Sequence, residues 1–140
     1  MIKAVVFDLD DTLYPERDYA LGGFRAVAAE FTELLGRPDA AIIDMLSLMD
    51  EGYRGRIFNE LLARRGRMPD QPTVDRMVRT YRLHDPKIKF HTDAERALQR
   101  LRSSRRLGVI TDGAREQQRA KIDALGVTSL VDEVIVTSEL

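Results

Sequence analysis

The run Ala4-Val5-Val6-Phe7 is continuously apolar and ends abruptly in Asp8-Leu9-Asp10-Asp11-Thr12. A short β-branched run without polar alternation is the pattern of a parallel strand buried on both faces. Parallel strands need long crossover connections, so this feature directs the chain toward an α/β fold with a layer of helices. It also places Asp8 at the carboxyl end of the first strand, the rim where parallel sheets bind ligands. The run is too short for a signal peptide or a membrane span.

Helical periodicity follows. Leu21, Phe24, Ala28, Phe31 and Leu35 share one face from about Arg17, and Gly36-Arg37-Pro38 supplies a stop. A second helix from Asp39 carries Ile42, Met45, Leu46 and Met49, and a third carries Ile57, Phe58, Leu61 and Leu62 before Gly66. Thr73 is the expected cap of a fourth helix with Val74, Met77, Val78 and Tyr81. Residues 17–86 therefore read as a helical insertion, and residues 1–16 with 87–140 as the α/β core.

The β/α rhythm resumes with a capping box at Thr92 and Glu95, then a strand at Leu107-Gly108-Val109-Ile110. Thr111-Asp112-Gly113 turns that strand into a helix with Ile122 and Leu125 inside, and Val134-Ile135-Val136 forms a third strand. Asp8 and Thr111, far apart in sequence, thus converge on one rim. Such convergence is stronger evidence of a site than either segment alone.

Composition narrows the chemistry. The 23 acidic and 22 basic residues give a formal net charge of −1, so no overall field draws the chain to nucleic acid or anionic lipid. Cysteine is absent, which removes thiol nucleophiles, thiolate metal sites and disulfides, and fits the cytoplasmic location expected of the chain. Arg54, Arg56, Arg64 and Arg65 read as a solvated helix face rather than an anion-steering patch. His84 and His91 have no partner spacing that argues for a metal.

Asp8, Asp10 and Thr12 fill every position of an Asp-x-Asp-x-Thr pattern, and with the strand before them they resemble the first motif of the haloacid dehalogenase-like superfamily. The resemblance implies a Rossmann-like core with a helical cap inserted after the first strand. It makes Asp8 the nucleophile that forms an aspartyl-phosphate, and Asp10 the acid and base for the leaving alcohol and the attacking water. It gives Mg2+ the Asp8 carboxylate and the Asp10 backbone carbonyl. Electrostatics agrees, because two neighbouring carboxylates repel unless a cation offsets them.

Thr111 resembles the superfamily's second motif, a hydroxyl on the phosphate at a strand end, with Asp112, Gly113 and Thr12 as further phosphate-binding positions. The implied substrate is a small phosphorylated metabolite. A dehalogenase reading is disfavoured, since that branch attacks carbon and has no need of Asp10.

The resemblance extends through Gln118, Lys121 and Leu125-Gly126 to Val134–Glu139. The lysine and the acidic pair that follow in the superfamily are expected beyond Leu140. The chain is therefore expected to be the N-terminal portion of a longer hydrolase, lacking the C-terminal core strands, and Lys121 is expected to be surface decoration rather than a substitute for the lysine. Two consequences are expected: an open edge at Ala4–Phe7 that self-associates or pairs with the missing C-terminal segment, and, as an alternative function, an inactive interaction or structural module.

Overall fold

The computed structural model describes residues 1–140. The elements run β1 (Ala4–Phe7), α1 (Glu16–Glu30), α2 (Thr32–Leu35), α3 (Pro38–Asp50), α4 (Ile57–Arg64), α5 (Gln71–Leu83), α6 (Thr92–Leu101), β2 (Arg106–Thr111), α7 (Arg115–Leu125) and β3 (Glu133–Val136). They divide into two compact units, Met1–Tyr19 with Asp85–Leu140, and Ala20–His84.

The first unit is a parallel sheet in the order β1-β2-β3. Phe7 pairs with Val109 and Thr111 with Val136, so the carboxyl ends of the strands gather along one rim. Successive strands in neighbouring order, joined by right-handed crossovers, put α6 and α7 on the same face of the sheet. Burial follows that rule. Leu107, Val109 and Thr111 point to the covered face and are buried, whereas Val6 is 58% exposed and Ile110 43% exposed on the other. The expectation of a first strand buried on both faces is thereby corrected, because Ala4 and Val6 lie exposed on the uncovered face, whereas β1 does stand at the sheet edge as expected.

The second unit is all helical. Phe24, Phe31, Met45, Leu48, Leu61 and Met77 form its centre, and the Phe24 ring meets Phe58 edge-on at 6.4 Å and Tyr81 at 5.5 Å. The single helix expected up to Leu35 is broken at Phe31. The Thr32 hydroxyl bonds back to the carbonyls of Ala28 and Ala29 at 3.3 and 3.1 Å, a competing bond that bends a helix at that turn. Arg64 and Arg65 bind acidic side chains, Arg64 reaching Glu51 and Glu60 and Arg65 reaching Asp44, and Arg65 also donates to the Leu35 carbonyl at the end of α2.

Two caps differ from expectation. Asp70, not Thr73, caps α5; its Oδ2 accepts from the Thr73 backbone N–H at 3.1 Å and the Thr73 hydroxyl at 2.9 Å, with proline in the first turn. Thr92 is already the first residue of α6, and the N-cap is His91, without a side-chain cap bond. The His91 N–H donates to the Leu13 carbonyl at 2.9 Å, which pins the chain one residue earlier than the capping box would.

Candidate active site

The acidic loop is a tight turn. The backbone N–H groups of Thr12 and Leu13 both donate to the Leu9 carbonyl, at 3.2 and 3.0 Å, and Asp11 takes a left-handed φ of 57° to close it. Leu9, Leu13 and Tyr14 anchor the turn with fully buried side chains. Asp11, given no catalytic role by the sequence, has a structural one: its Oδ1 accepts from the Glu16 N–H at 2.9 Å and holds the start of α1. Asp8 stands exposed just beyond the last paired residue of β1.

Asp10 sits at the centre of a polar cluster. Its Oδ1 accepts from the Tyr14 hydroxyl at 2.5 Å and from Lys121 Nζ at 2.8 Å, and its Oδ2 accepts from Gln118 Nε2 at 3.0 Å. Gln118 Nε2 also donates to Thr111 Oγ1 at 2.6 Å, while Gln118 Oε1 accepts from Lys121 Nζ at 2.8 Å. The structure thus brings Asp10 and Thr111 together through one amide.

Burial alone would push the Asp10 carboxyl up. The hydrogen bonds from Lys121 and Tyr14, the Lys121 charge and the Gln118 bond outweigh that cost and hold it below the usual carboxylate value. Burial, and then the Asp10 carboxylate, push the Tyr14 hydroxyl far up, so it remains a donor.

Lys121 is the residue that the sequence misassigned. It is 5% exposed, ion-pairs with Asp10, and lies 4.4 Å from the Tyr19 ring centroid. The reason is helical register: Gln118, Lys121, Ile122 and Leu125 recur at three- and four-residue spacing and form the buried stripe of α7. That spacing was the available signal.

The remaining expected residues are less closely joined. Asp112 is exposed and its carboxylate accepts from the Thr137 hydroxyl. Gly113 has φ 140°, and a Cβ there would come within 3.0 Å of the Gln118 carboxamide; its glycine leaves room for Gln118. Thr12 is exposed and lines a cleft of about 420 Å³ with His91, Asp93 and Ala97.

For a cation the donor chemistry is all oxygen. Lys121, Tyr14 and Gln118 occupy the Asp10 carboxylate, which leaves the Asp8 carboxylate and the Asp10 main-chain carbonyl. No group of three or more His, Cys, Asp or Glu that could hold a metal forms. Two protein oxygens nevertheless suit Mg2+, which usually keeps several waters in its coordination shell.

Known proteins share this arrangement of elements. The chain is 31% identical over 150 residues to a glyceraldehyde 3-phosphate phosphatase of Methanopyrus kandleri, covering 100% of this chain and 64% of that protein. A glyceraldehyde 3-phosphate phosphatase of Methanocaldococcus jannaschii is 28% identical over 99% of this chain and 64% of its own length. The chain therefore spans 64% of the curated relatives it matches. Among solved structures, the HAD-hydrolase YfnB of Bacillus subtilis, bound to magnesium, superposes with a TM-score of 0.68 at 17% identity, covering 99% of this chain and 64% of that one. The family model for haloacid dehalogenase-like hydrolases matches residues 5–140, and the chain belongs to that family.

Proposed function

We propose that this chain carries the nucleophile loop and phosphate-binding strand of a phosphatase acting on small phosphorylated metabolites. The observation that carries the reading is the coupling of Asp10 to Thr111 through Gln118 at the carboxyl rim of the sheet, beside Asp8. Relatives named as phosphatases support the reaction class.

In this reading the Asp8 carboxylate attacks phosphorus, and the bond from phosphorus to the leaving oxygen breaks as Asp10 gives that oxygen a proton. Asp10 then takes a proton from water, whose oxygen attacks the aspartyl-phosphate. The bond between phosphorus and Asp8 breaks and inorganic phosphate leaves. The ionised state of Asp10 in the free chain is the state needed for the second step. The protonated state needed for the first is favoured when a phosphoryl dianion brings its charge into the site.

Thr111, with the backbone N–H groups of Asp112 and Gly113 ahead of α7, would hold phosphoryl oxygens, and Thr12 lies in the same loop as the nucleophile. Mg2+ would be held by the Asp8 carboxylate and the Asp10 carbonyl, and when bound it offsets the repulsion between nucleophile and phosphate. Residues 17–86 would act as the cap that selects the substrate.

Release of an aryl alcohol from an aryl phosphate, with and without Mg2+, tests the reading on this chain and on Asp8→Asn. Mg2+-dependent release that Asp8→Asn lowers at least a hundredfold is the expected result. Equal, negligible release from both would end the claim for this chain.

One specific observation favours the second reading, an interaction module: β1 offers an unpaired backbone edge, and Val6 and Ile110 are exposed on the uncovered face. Self-association through that edge is the expected behaviour, as is pairing with a further segment of a longer protein.

A further inference from the structure

We infer that Gln118 is a positioning residue: oriented by Lys121, it turns the Thr111 hydroxyl into a donor aimed at a phosphoryl oxygen. The inference rests on the phosphatase reading for the identity of the anion, but its geometry comes from the hydrogen bonds alone.

Lys121 begins the chain of directions. Its ammonium has three donors and no acceptor, so the Gln118 atom 2.8 Å away must be the carbonyl oxygen. The Gln118 amide nitrogen then faces the opposite way. There it meets two oxygens, Asp10 Oδ2 at 3.0 Å and Thr111 Oγ1 at 2.6 Å, and has one N–H for each. Both contacts are oxygens, so each can accept one of the two amide hydrogens, which fits that orientation.

Thr111 closes the chain. Its oxygen spends a lone pair on the Gln118 N–H, so its own proton cannot point back along that line. The structure gives that proton no protein acceptor, although Thr111 is only 1% exposed. A buried donor left in this state gains most from an anionic acceptor. Thr111 lies at the carboxyl end of β2, ahead of the N-terminus of α7, where the acceptor this site suits is a phosphoryl oxygen. Gly113 belongs to the same device, because a side chain there would crowd the Gln118 carboxamide at 3.0 Å.

Alternatives for Gln118 are weaker. A glutamine buried only to fill space would also be hydrogen-bonded, but it would not need to join Asp10 of one strand's loop to Thr111 of the next strand's end with Lys121 fixing its orientation. Gln118 spends its amide hydrogens on Asp10 and Thr111 and its oxygen on Lys121, so it has no donor left for a substrate oxygen. Its effect must pass through Thr111 and Asp10.

Calorimetric titration of the full chain with inorganic phosphate, in buffer containing Mg2+, tests the inference through a mutant cycle. Thr111→Val and Gln118→Met should each weaken phosphate binding about tenfold, as expected for loss of one charge-assisted bond. The double variant should bind within twofold of Thr111→Val, because the second change removes nothing that remains. Should circular dichroism show Gln118→Met unfolded, Gln118→Glu replaces it; this variant keeps the acceptor for Lys121 and lacks the N–H donors.

Parent-like binding by the Gln118 variant, a double variant whose loss is the product of the two single losses, or a parent that binds no phosphate would each overturn the inference. The phosphatase reading is scored separately by aryl phosphate release. Coupled phosphate binding without release sinks that reading alone, and release without coupling sinks the positioning role alone.

Discussion

Lys121 Nζ lies 2.8 Å from Asp10 Oδ1, a contact across 111 positions of sequence that ties α7 to the loop after β1. Both groups are largely withdrawn from solvent, with side-chain exposures of 6% and 23%. An ion pair in that setting contributes little by comparison with an apolar pair, but removing one member leaves the other charge stranded. Lys121→Met is expected to destabilise the chain by about 3 kcal/mol in urea unfolding at neutral pH. Adding Asp10→Asn to that variant should recover part of the loss, since no buried charge then lacks a partner.

Asp70 predicts an acid response. The Thr73 hydroxyl and backbone N–H hold its carboxyl below the usual value of 3.8. A carboxyl whose folded value is depressed contributes stability that is complete above the unfolded value and is lost as pH falls through the folded one. Stability of α5 should therefore drop below about pH 4. Asn caps helices as well as Asp does, so Asp70→Asn should match the parent at neutral pH and lose less on acidification. Asp70→Ala should be the less stable protein at neutral pH. Thermal unfolding of the three across pH 3–7 checks the order.

The rim residues were legible because two independent patterns coincide on them. An apolar run ends at Asp8 and another ends at Thr111, and parallel sheets put both ends on one side. Lys121 was not legible from its type, since lysines are almost never fully buried unless paired, and the pair partner comes from the other end of the chain. Its position in the Gln118, Ile122 and Leu125 stripe was the better guide. The helix break at Phe31 and the cap at His91 were hidden for a related reason. One depends on a threonine hydroxyl competing for helix carbonyls, the other on a backbone bond to Leu13 that no local pattern encodes.

Exposure at β1 makes a prediction about association. Ile2 is 68% exposed and Val6 58%, next to a strand edge with no partner. Apolar edges of this kind pair with other strands unless charge blocks them. Light scattering should show an apparent mass that rises with concentration, and Val6→Lys should reduce that rise. A parent that stays monodisperse and monomeric over the whole range would remove β1 as a pairing edge.

Gly23 sets two opposing effects against each other. Glycine within a helix costs about 1 kcal/mol relative to alanine, so propensity alone favours Gly23→Ala in α1. The structure argues the reverse. A Cβ at this position would stand 2.3 Å from Tyr81 Cδ2 and 2.4 Å from Cε2, inside any tolerable contact. The Tyr81 ring cannot swing aside freely, because Phe24 lies 5.5 Å and Phe58 6.0 Å from its centroid. Overpacking of a filled core costs about 1–3 kcal/mol, enough to exceed the propensity gain. Gly23→Ala should therefore unfold at lower urea than the parent, and Gly23→Ala combined with Tyr81→Leu should regain part of the midpoint. A rise in the midpoint for Gly23→Ala alone would mean that the ring relaxes at little cost and that helix propensity dominates at this position.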